Sequence, residues 1–276
     1  MNHAMIWVNG DIVDRSEPIA SAADHGLQLG DGIFDTIAIR DARPVFLERH
    51  LRRLRSGLER LEIAGTPTDL ELGEAIKRLI DSNELANARV RITITPGPGS
   101  GPGSSPLERG SDPLTVITTG TLHAPPSSVS LCTVEWTRNE RSPLCGIKST
   151  SWGENAAIIR LARSRGFDNA VLYDSVGRVS ECATSNIFAI IDDQVVPPPL
   201  DTGCLPGITR EVLLERGVAS ERELLPGDLV DATDVFITSA TSGVVPVRRI
   251  DELEYPSAGP NMTRIGELVF DLGRTE

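Results

Sequence analysis

The chain has 276 residues, and its 39 acidic and 27 basic side chains give a formal net charge of −12. An acidic balance argues against nucleic acid as a partner, because binding to phosphates needs a basic surface. No apolar run reaches the roughly 20 residues of a membrane-spanning helix, and the N-terminus becomes polar too early for a signal peptide, so we expect a cytoplasmic protein that does not bind membranes.

The N-terminal part of the chain predicts strands and two amphipathic helices. Two short apolar runs flank Asn9-Gly10, a strong signal for a β-hairpin. Residues 33–40 alternate in polarity as a strand does. Leucines recur at spacings of three and four between Glu48 and Ile63, and residues 69–86 repeat that pattern, as expected of helices with one apolar face. Further strands are predicted at 90–95 and 114–119.

A proline- and serine-rich stretch, residues 123–128, is the best candidate for a linker between two domains. Beyond it the patterns predict more strands and two helices, the second with Pro206 at its first position. The strands are at 129–135, 169–173, 186–191, 235–239 and 244–247, the helices at 153–165 and 206–216, and a turn at 175–177. Because strands and helices mix without a regular rhythm, we predict an α+β fold with domains at residues 1–122 and 129–276.

The cysteines and histidines show none of the spacings that bind metals. The four cysteines form no Cys-x-x-Cys pair and the four histidines no His-Glu-x-x-His motif, so we expect no metal site. We interpret the cysteines as reduced thiols. These residues are Cys132, Cys145, Cys182, Cys204, His3, His25, His50 and His123.

Lysine is the most informative residue type, because only two of the 27 basic residues are lysines. Lys77 lies on the polar side of a predicted helix, where a solvated charge is the simplest interpretation. Lys148 follows an apolar stretch and precedes a helix. Lysine, unlike arginine, can lose its proton when desolvated and attack a carbonyl, so an imine with an aldehyde cofactor is the predicted use of Lys148. A lysine that only caps a strand end is the alternative.

Glu181 lies in a turn of small and hydroxyl residues, directly before the apolar strand 186–191. Burying a carboxylate there without a cationic partner would be costly. A protonated pyridine nitrogen would be such a partner, and the retained proton would keep the ring an effective electron sink. An ordinary surface acid is the alternative.

Three segments are candidates for binding a phosphate. Residues 206–209 open a helix, whose first N–H groups and dipole favour an anion. Residues 238–243, at the end of a strand, offer further hydroxyls and amides, and Arg53 on the first long helix could supply a charge. Each signal is weak alone, since helix N-termini and Ser/Thr turns are common.

In order and spacing these segments resemble the class IV, or fold type IV, pyridoxal-phosphate enzymes. That family includes branched-chain transaminases, D-amino-acid transaminases and 4-amino-4-deoxychorismate lyases. The resemblance extends over about residues 6–250, and its marks are LGDGIFDT (29–36), RHLRRL (49–54), GIKS (146–149), VSECATSNIFAI (179–190), LPGITRE (205–211) and FITSATSGVVPV (236–247). It implies a small N-terminal α/β domain, a larger C-terminal barrel-like domain and a homodimer.

The resemblance also implies roles for the matching residues. Lys148 would be the Schiff-base lysine and proton shuttle of pyridoxal 5'-phosphate, and Glu181 would bind the pyridine nitrogen. The phosphate would be held by Arg53, Ile208, Thr209 and the Ala240-Thr241 turn. Some relatives have a hydroxyl residue at the position of Ala240, and some have a tyrosine where this chain has Ser151-Trp152.

The substrate side is defined less sharply by the resemblance. Three residues fall where relatives line the substrate pocket, and three arginines could bind the substrate carboxylate. Arg141 aligns with the arginine that does so in some D-amino-acid transaminases. The lining residues are Leu29, Phe34 and Thr36, and the arginines are Arg40, Arg138 and Arg141.

Several functions stay open. A transaminase that acts on small amino acids, D- or broadly specific, and passes the amino group to a 2-keto acid in ping-pong fashion comes first. An aminodeoxychorismate lyase would use the same lysine to release pyruvate and 4-aminobenzoate, and Thr36 and the SECATSNIF segment favour it. A branched-chain transaminase fits less well, because Arg89-Val90-Arg91 replaces the Tyr-x-Arg typical of that group. The Lys148 and Glu181 pair disfavours a non-catalytic cofactor-binding protein.

Overall fold

The computed structural model describes residues 5–101, 105–255 and 260–275. Its backbone forms two compact units. One contains the residues up to Leu122 and the short segment Ile147–Trp152, and the other contains His123–Gly146 and Gly153–Thr275. Both units combine helices with a sheet, which confirms the α+β class.

The first unit is built on one antiparallel sheet. Its elements are β1 (Met5–Val8), β2 (Asp11–Asp14), α1 (His25–Gln28), β3 (Ile33–Arg40), β4 (Arg43–Pro44), α2 (Leu47–Arg60), α3 (Asp69–Ser82), β5 (Ala88–Thr95) and β6 (Leu114–Thr121). Within the described residues, six strands follow the order β2-β1-β6-β5-β3-β4. β3 pairs with β5 from Ile33–Ile94 to Ile39–Ala88, so β3 is fixed along nearly its whole length.

The core of this unit forms between the sheet and helices α2 and α3. The apolar residues whose spacing predicted the two helices are buried against strand residues of β3 and β5. Each fully buried leucine contributes about 2 kcal/mol to this packing. Thr68 and Glu71 cap the start of α3 with reciprocal hydrogen bonds. The buried helix residues include Leu51, Leu54, Leu58, Leu72, Ile76 and Leu79.

The second unit contains the remaining elements. They are β7 (Val129–Thr133), α4 (Gly153–Ser164), β8 (Asn169–Tyr173), β9 (Val179–Cys182), β10 (Asn186–Ile191), β11 (Gln194–Val196), a 3-10 turn (Leu200–Thr202), α5 (Ile208–Glu215), α6 (Pro226–Asp231), β12 (Asp234–Ser239), β13 (Gly243–Ile250), β14 (Leu253–Glu254) and α7 (Pro260–Thr275). Residues 123–128, the predicted linker, contain neither helix nor strand.

The sheet of the second unit is mixed and curved. Its strands follow the order β11-β10-β12-β13-β7-β8-β9, with parallel pairing where β7 meets β13 and β8. β9, at one end of this order, passes through a tight turn into β10 near the other end, and Cys182 and Ser185 pair across that turn. The sheet therefore curls back toward itself, as the expected barrel-like domain requires.

The predicted elements are largely confirmed, with two corrections. Asn9 and Gly10 both have positive φ, 46° and 110°, as the two-residue hairpin between β1 and β2 requires. Glu181, predicted in a turn, lies in strand β9, where it pairs with Leu172 of β8.

The other correction concerns a helix start. The helix predicted from Pro206 begins instead at Ile208, with Gly207 as its N-cap, so Pro206 precedes the helix. The reason is local: the backbone stays extended through Gly207 (ψ 141°), while the Asn186 side chain donates to the carbonyl of Leu205.

Candidate active site

The backbone around Lys148 is held against the start of β3. The N–H of Phe34 donates to the carbonyl of Lys148, and the N–H of Thr150 donates to the carbonyl of Gly32, both at 2.8 Å. The hydroxyl of Thr150 donates to the carbonyl of Gly30 at 2.8 Å. These bonds extend the hydrogen bonding of β3 to residues 148–150, so the lysine is attached to a rigid strand.

The amine of Lys148 lies beside two aromatic rings. Its Nζ atom is 4.6 Å from the centre of the Phe34 ring and 4.9 Å from the centre of the Trp152 ring. The rings meet edge to face, with centres 5.2 Å apart and planes at 88°. Rings on two sides shield the half-buried amine from water, which suits a lysine that acts as a nucleophile.

A second cation contacts the Phe34 ring. The guanidinium carbon of Arg91 lies 3.6 Å from the ring centre. Arg91 belongs to strand β5, where it pairs with Thr36 of β3. Although the side chain as a whole is exposed, burial of its guanidinium and repulsion from Arg89 lower the pKa of Arg91. Arg91 was not predicted as a site residue. Its strand register was the signal, since it places Arg91 beside β3 residues that were predicted.

Arg53, the predicted phosphate ligand, belongs to a buried network around Asp35. Its Nε and Nη2 atoms donate to the two carboxylate oxygens of Asp35, at 2.9 and 2.8 Å. Nδ1 of His50 lies 2.8 Å from Oδ1 of the same carboxylate. Asp35 and His50 are each 1% exposed. The network therefore links β3 to α2 through one carboxylate.

Burial and the charges of this network shift the pKa values of Asp35 and His50. Burial alone would raise the pKa of Asp35, but Arg53 and His50 outweigh it and hold that pKa below its usual range. Burial lowers the pKa of His50 against the pull of Asp35, and the positive charges of Arg53 and Lys148 lower it further. Asp35 is therefore an ionised carboxylate and His50 a neutral imidazole at neutral pH.

Glu181, in the second unit, is a buried carboxylate with compensating partners. The N–H of Leu205 donates to Oε2 at 3.0 Å, and Nε of Arg138 lies 3.1 Å from Oε1. The backbone N–H of Arg138 donates in turn to the carbonyl of Tyr173. The guanidinium of Arg138 thus faces Glu181 and supplies the positive charge that a buried carboxylate needs.

The other substrate-side candidates differ in exposure. The side chain of Arg141 is 86% exposed, with its Nε atom 3.6 Å from Glu140. Arg40 is the last residue of β3, beside Arg43 of β4. Leu29 is 45% exposed, whereas Phe34 is buried.

The N-terminus of α5 has the features of an anion site. Its N-cap, Gly207, makes no side-chain cap, and a Cβ built there would lie 1.9 Å from Oδ1 of Asn186, so a larger residue would require the Asn186 side chain to move. Thr209 is buried, with its hydroxyl 3.4 Å from the carbonyl of Ser239. The buried hydroxyl of Thr238 has no hydrogen-bond partner among the described residues. A phosphate fits this set of backbone N–H groups and hydroxyls.

The predicted residues fall into both units. Ala240 and Thr241 lie in the turn between β12 and β13. The first unit holds Leu29, Phe34, Thr36, Arg40, Arg53 and Lys148, and the second holds Arg138, Arg141, Glu181, Ile208, Thr209, Ala240 and Thr241.

In the described part of the chain, no three His, Cys, Asp or Glu side chains are grouped to hold a metal ion, and no helix is long and apolar enough to cross a bilayer. The four cysteines form no disulfide. His3 lies outside the described residues.

The chain matches known proteins over most of its length. The family model for amino-transferase class IV matches residues 32–250. The aminodeoxychorismate lyase of Bacillus subtilis is 26% identical over 275 residues, covering 96% of this chain and 93% of the relative. The D-alanine aminotransferase of Bacillus licheniformis is 28% identical over 267 residues, covering 92% and 91%.

A solved structure of the Escherichia coli branched-chain amino acid aminotransferase superposes with a TM-score of 0.89, at 25% identity, covering 98% of this chain and 95% of that one. Enzymes of this family use pyridoxal phosphate, and each unit holds groups whose chemistry suits part of it: a lysine amine in the first unit, and a buried carboxylate and an anion site in the second. The chain belongs to the class IV aminotransferase family and is a pyridoxal-phosphate enzyme.

Proposed function

We propose that the chain is a transaminase that transfers the amino group of a small amino acid, D-amino acids included, to a 2-keto acid in a ping-pong cycle. The observation that supports this best is the Phe34 ring, which Lys148 and Arg91 both contact. An α-amino acid carries an amino group and a carboxylate on one carbon. Lys148 would hold the aldehyde with which the amino group condenses, and the guanidinium on the same ring is placed to receive the carboxylate.

When bound, the cofactor supplies an aldehyde that condenses with amines and a ring that accepts electrons from the substrate carbon. Lys148 would hold it covalently and, once released, would take a proton at Nζ from one carbon and return it to another. Glu181 would accept a hydrogen bond at its carboxylate from the ring nitrogen and keep that nitrogen protonated. The phosphate ligands would be Arg53, Ile208, Thr209 and the Ala240-Thr241 turn.

For the substrate carboxylate we favour Arg91 over the three arginines predicted first. Arg138 is committed to Glu181, and Arg141 is exposed to solvent. Arg40 stays an alternative. Leu29, Phe34 and Thr36 would line the space for the substrate side chain. Like the roles of the cofactor residues, a homodimer is part of this proposal and follows from the resemblance alone.

The second candidate is an aminodeoxychorismate lyase, which would release pyruvate and 4-aminobenzoate. Thr36 and the SECATSNIF segment favour it, as does the similarity to the Bacillus subtilis lyase over nearly the whole chain. The same Lys148 and Glu181 would serve both reactions. A branched-chain transaminase is less favoured, because arginine stands at position 89 where that group tends to have tyrosine.

A donor panel tests the proposal. The purified protein with pyridoxal phosphate would be mixed with D- and L-alanine, D- and L-glutamate and L-leucine, first without and then with a keto-acid acceptor. We expect the absorbance of bound cofactor to shift from its aldehyde to its amine form with a small amino acid, and to return when the keto acid is added. Pyruvate release from aminodeoxychorismate without an acceptor, and no shift with any donor, would establish the lyase instead.

A further inference from the structure

Asp35 is a buried charge to which the mechanism above gives no role. It has the same side-chain orientation along β3 as Ile33, Ile37 and Ile39, so it faces helix α2 from within a row of buried apolar residues. A carboxylate in that position has a large desolvation cost unless it is paired and hydrogen-bonded. Its pairing with Arg53 and His50 accounts for its stability there but leaves open why a charge is present at all.

The contacts of Asp35 suggest an answer, because they fix one edge of the Arg53 guanidinium. Both carboxylate oxygens are used, with Nε donating to Oδ2 and Nη2 donating to Oδ1. The carboxylate is itself held by His50 and by the backbone N–H of Thr36, which donates to Oδ1 at 2.7 Å. This two-point contact determines the plane of the guanidinium, which a single hydrogen bond would not do.

The orientation of Arg53 matters because arginine has a long side chain with several rotatable bonds. Ordering such a side chain on binding costs conformational entropy, and a guanidinium that is already oriented does not incur that cost when an anion arrives. The contact with Asp35 uses the Nε–Nη2 edge.

We propose that Asp35 is a positioning residue that orients Arg53 toward the phosphate of the cofactor. The inference rests on the proposed function, in which Arg53 is a phosphate ligand. Long-range charge and side-chain orientation predict opposite changes in phosphate affinity when Asp35 is neutralised. Removing the negative charge of Asp35 would strengthen phosphate binding if long-range charge decided affinity, but it would weaken binding if orientation decides it.

The experiment compares pyridoxal phosphate with pyridoxal, which lacks the phosphate. Dissociation constants for both would be measured by absorbance on the wild type, Asp35→Asn and Asp35→Glu, with unfolding temperatures recorded alongside. Asp35→Glu keeps the charge and moves it by one methylene, so it covers the case in which Asp35→Asn does not fold. The matched control is Asp69→Asn. The exposed Asp69 forms an ion pair with Arg55, which lies on the same helix as Arg53.

We expect Asp35→Asn to reduce the preference for pyridoxal phosphate over pyridoxal by about tenfold, the size of a lost hydrogen bond to a charged group. Asp35→Glu should reduce it as well, and Asp69→Asn should leave it unchanged. An unchanged or increased preference in both Asp35 variants would overturn the proposal. Equal losses for the two ligands would also overturn it, because they indicate a structural role.

Failure of the proposed function gives a different result. Borohydride treatment of the wild type with pyridoxal phosphate should label Lys148. If the wild type is not labelled there, the proposed function falls and this inference falls with it. If it is labelled and the preference of both Asp35 variants is unchanged, the inference alone is wrong.

Discussion

Nε of Arg138 lies 3.1 Å from Oε1 of Glu181, and both side chains are largely buried in the second unit. Two charges that have lost water stabilise each other, because each lowers the cost of burying the other. Because Arg138 forms this ion pair, we do not expect it to bind the substrate carboxylate.

Arg138→Gln should therefore lower stability as well as activity. We expect the free energy of unfolding to fall by roughly 3 kcal/mol, the cost of leaving a buried ionised partner alone. Urea unfolding of the protein without cofactor would measure it, because a bound pyridine ring would give Glu181 a second cationic partner. The control is Arg141→Gln, three residues further on and largely exposed, which should remain within about 0.5 kcal/mol of the wild type. A raised KM with unchanged stability in Arg138→Gln would mean that this arginine binds substrate.

Lys148→Ala should remove both cofactor attachment and turnover. The side chain supplies the covalent link and the proton transfer, so we expect a loss of activity greater than about 10³-fold. Mass spectrometry after borohydride reduction would locate the label. Lys77→Ala, which changes the exposed lysine of α3, should keep full activity and full labelling. A label at Lys77 in the wild type would refute the assignment.

Arg91→Gln tests the proposed carboxylate partner. Loss of a charged hydrogen-bond donor should raise KM for an amino-acid donor by roughly 10- to 100-fold. An amine donor without a carboxylate should show a much smaller change, so the ratio of the two KM values is the informative measurement. Arg89→Gln, two residues earlier on the same strand, is the control. Equal changes for both donors would show that Arg91 only supports Phe34.

The pH dependence of stability should carry the signature of His50. Its pKa in the folded protein is lower than its ordinary value of 6.5, so the unfolded chain binds more protons just below that pH. The contribution of His50 is thus fully present above pH 6.5 and is lost as pH falls, by up to about 1.4 kcal/mol per pH unit. Asp35, also with a lowered pKa, contributes in the same direction but only below about pH 4.

Urea unfolding between pH 5 and 7.5 would therefore isolate the histidine. We expect stability to rise with pH in the wild type and to rise less in His50→Gln. Identical slopes in the two proteins would show that folding leaves the pKa of His50 unshifted. The charges that act on it in this range are Asp35, Arg53 and Lys148.

The cysteines should differ sharply in reactivity. Burial raises the pKa of Cys204 to about 12 and also raises the pKa values of Cys132 and Cys182. Thiolates react and thiols do not, so alkylation at pH 8 should modify Cys145, which is half-buried, before the other three. Peptide mapping of the native protein would show this. Fast modification of Cys204 would indicate that its surroundings open readily.

Much of the fold could be predicted from local patterns. The leucine spacing of α2 is a periodic pattern that predicts a helix, and Asn9-Gly10 is a dipeptide that predicts a turn. Glu181 could also be singled out, because a carboxylate beside an apolar strand conflicts with its surroundings. Its neighbour Arg138 could not be paired with it, since 43 residues separate them and neither carries a periodic signal.

Two residues of the site were not predicted, and one of them, Arg91, depends on strand register, which short sequence patterns do not determine. Arg91 reaches Phe34 because β3 and β5 pair with Thr36 opposite Arg91. Asp35 did carry a signal, an acid on the isoleucine face of a strand that precedes an arginine-rich helix. The resemblance of the surrounding motif predicted roles for its neighbours Phe34 and Thr36 but none for Asp35.

The segment Ile147–Trp152 belongs to the first unit, although it follows the first strand of the second. On the ribosome, the first unit therefore stays incomplete until its last six residues emerge, well after its other strands have been made. A fragment that ends at Leu122 would lack the lysine as well as its backbone hydrogen bonds to β3. The reactive amine thus joins its folding unit late in synthesis, and a gene cut between residues 122 and 129 would separate that amine from the strand that holds it.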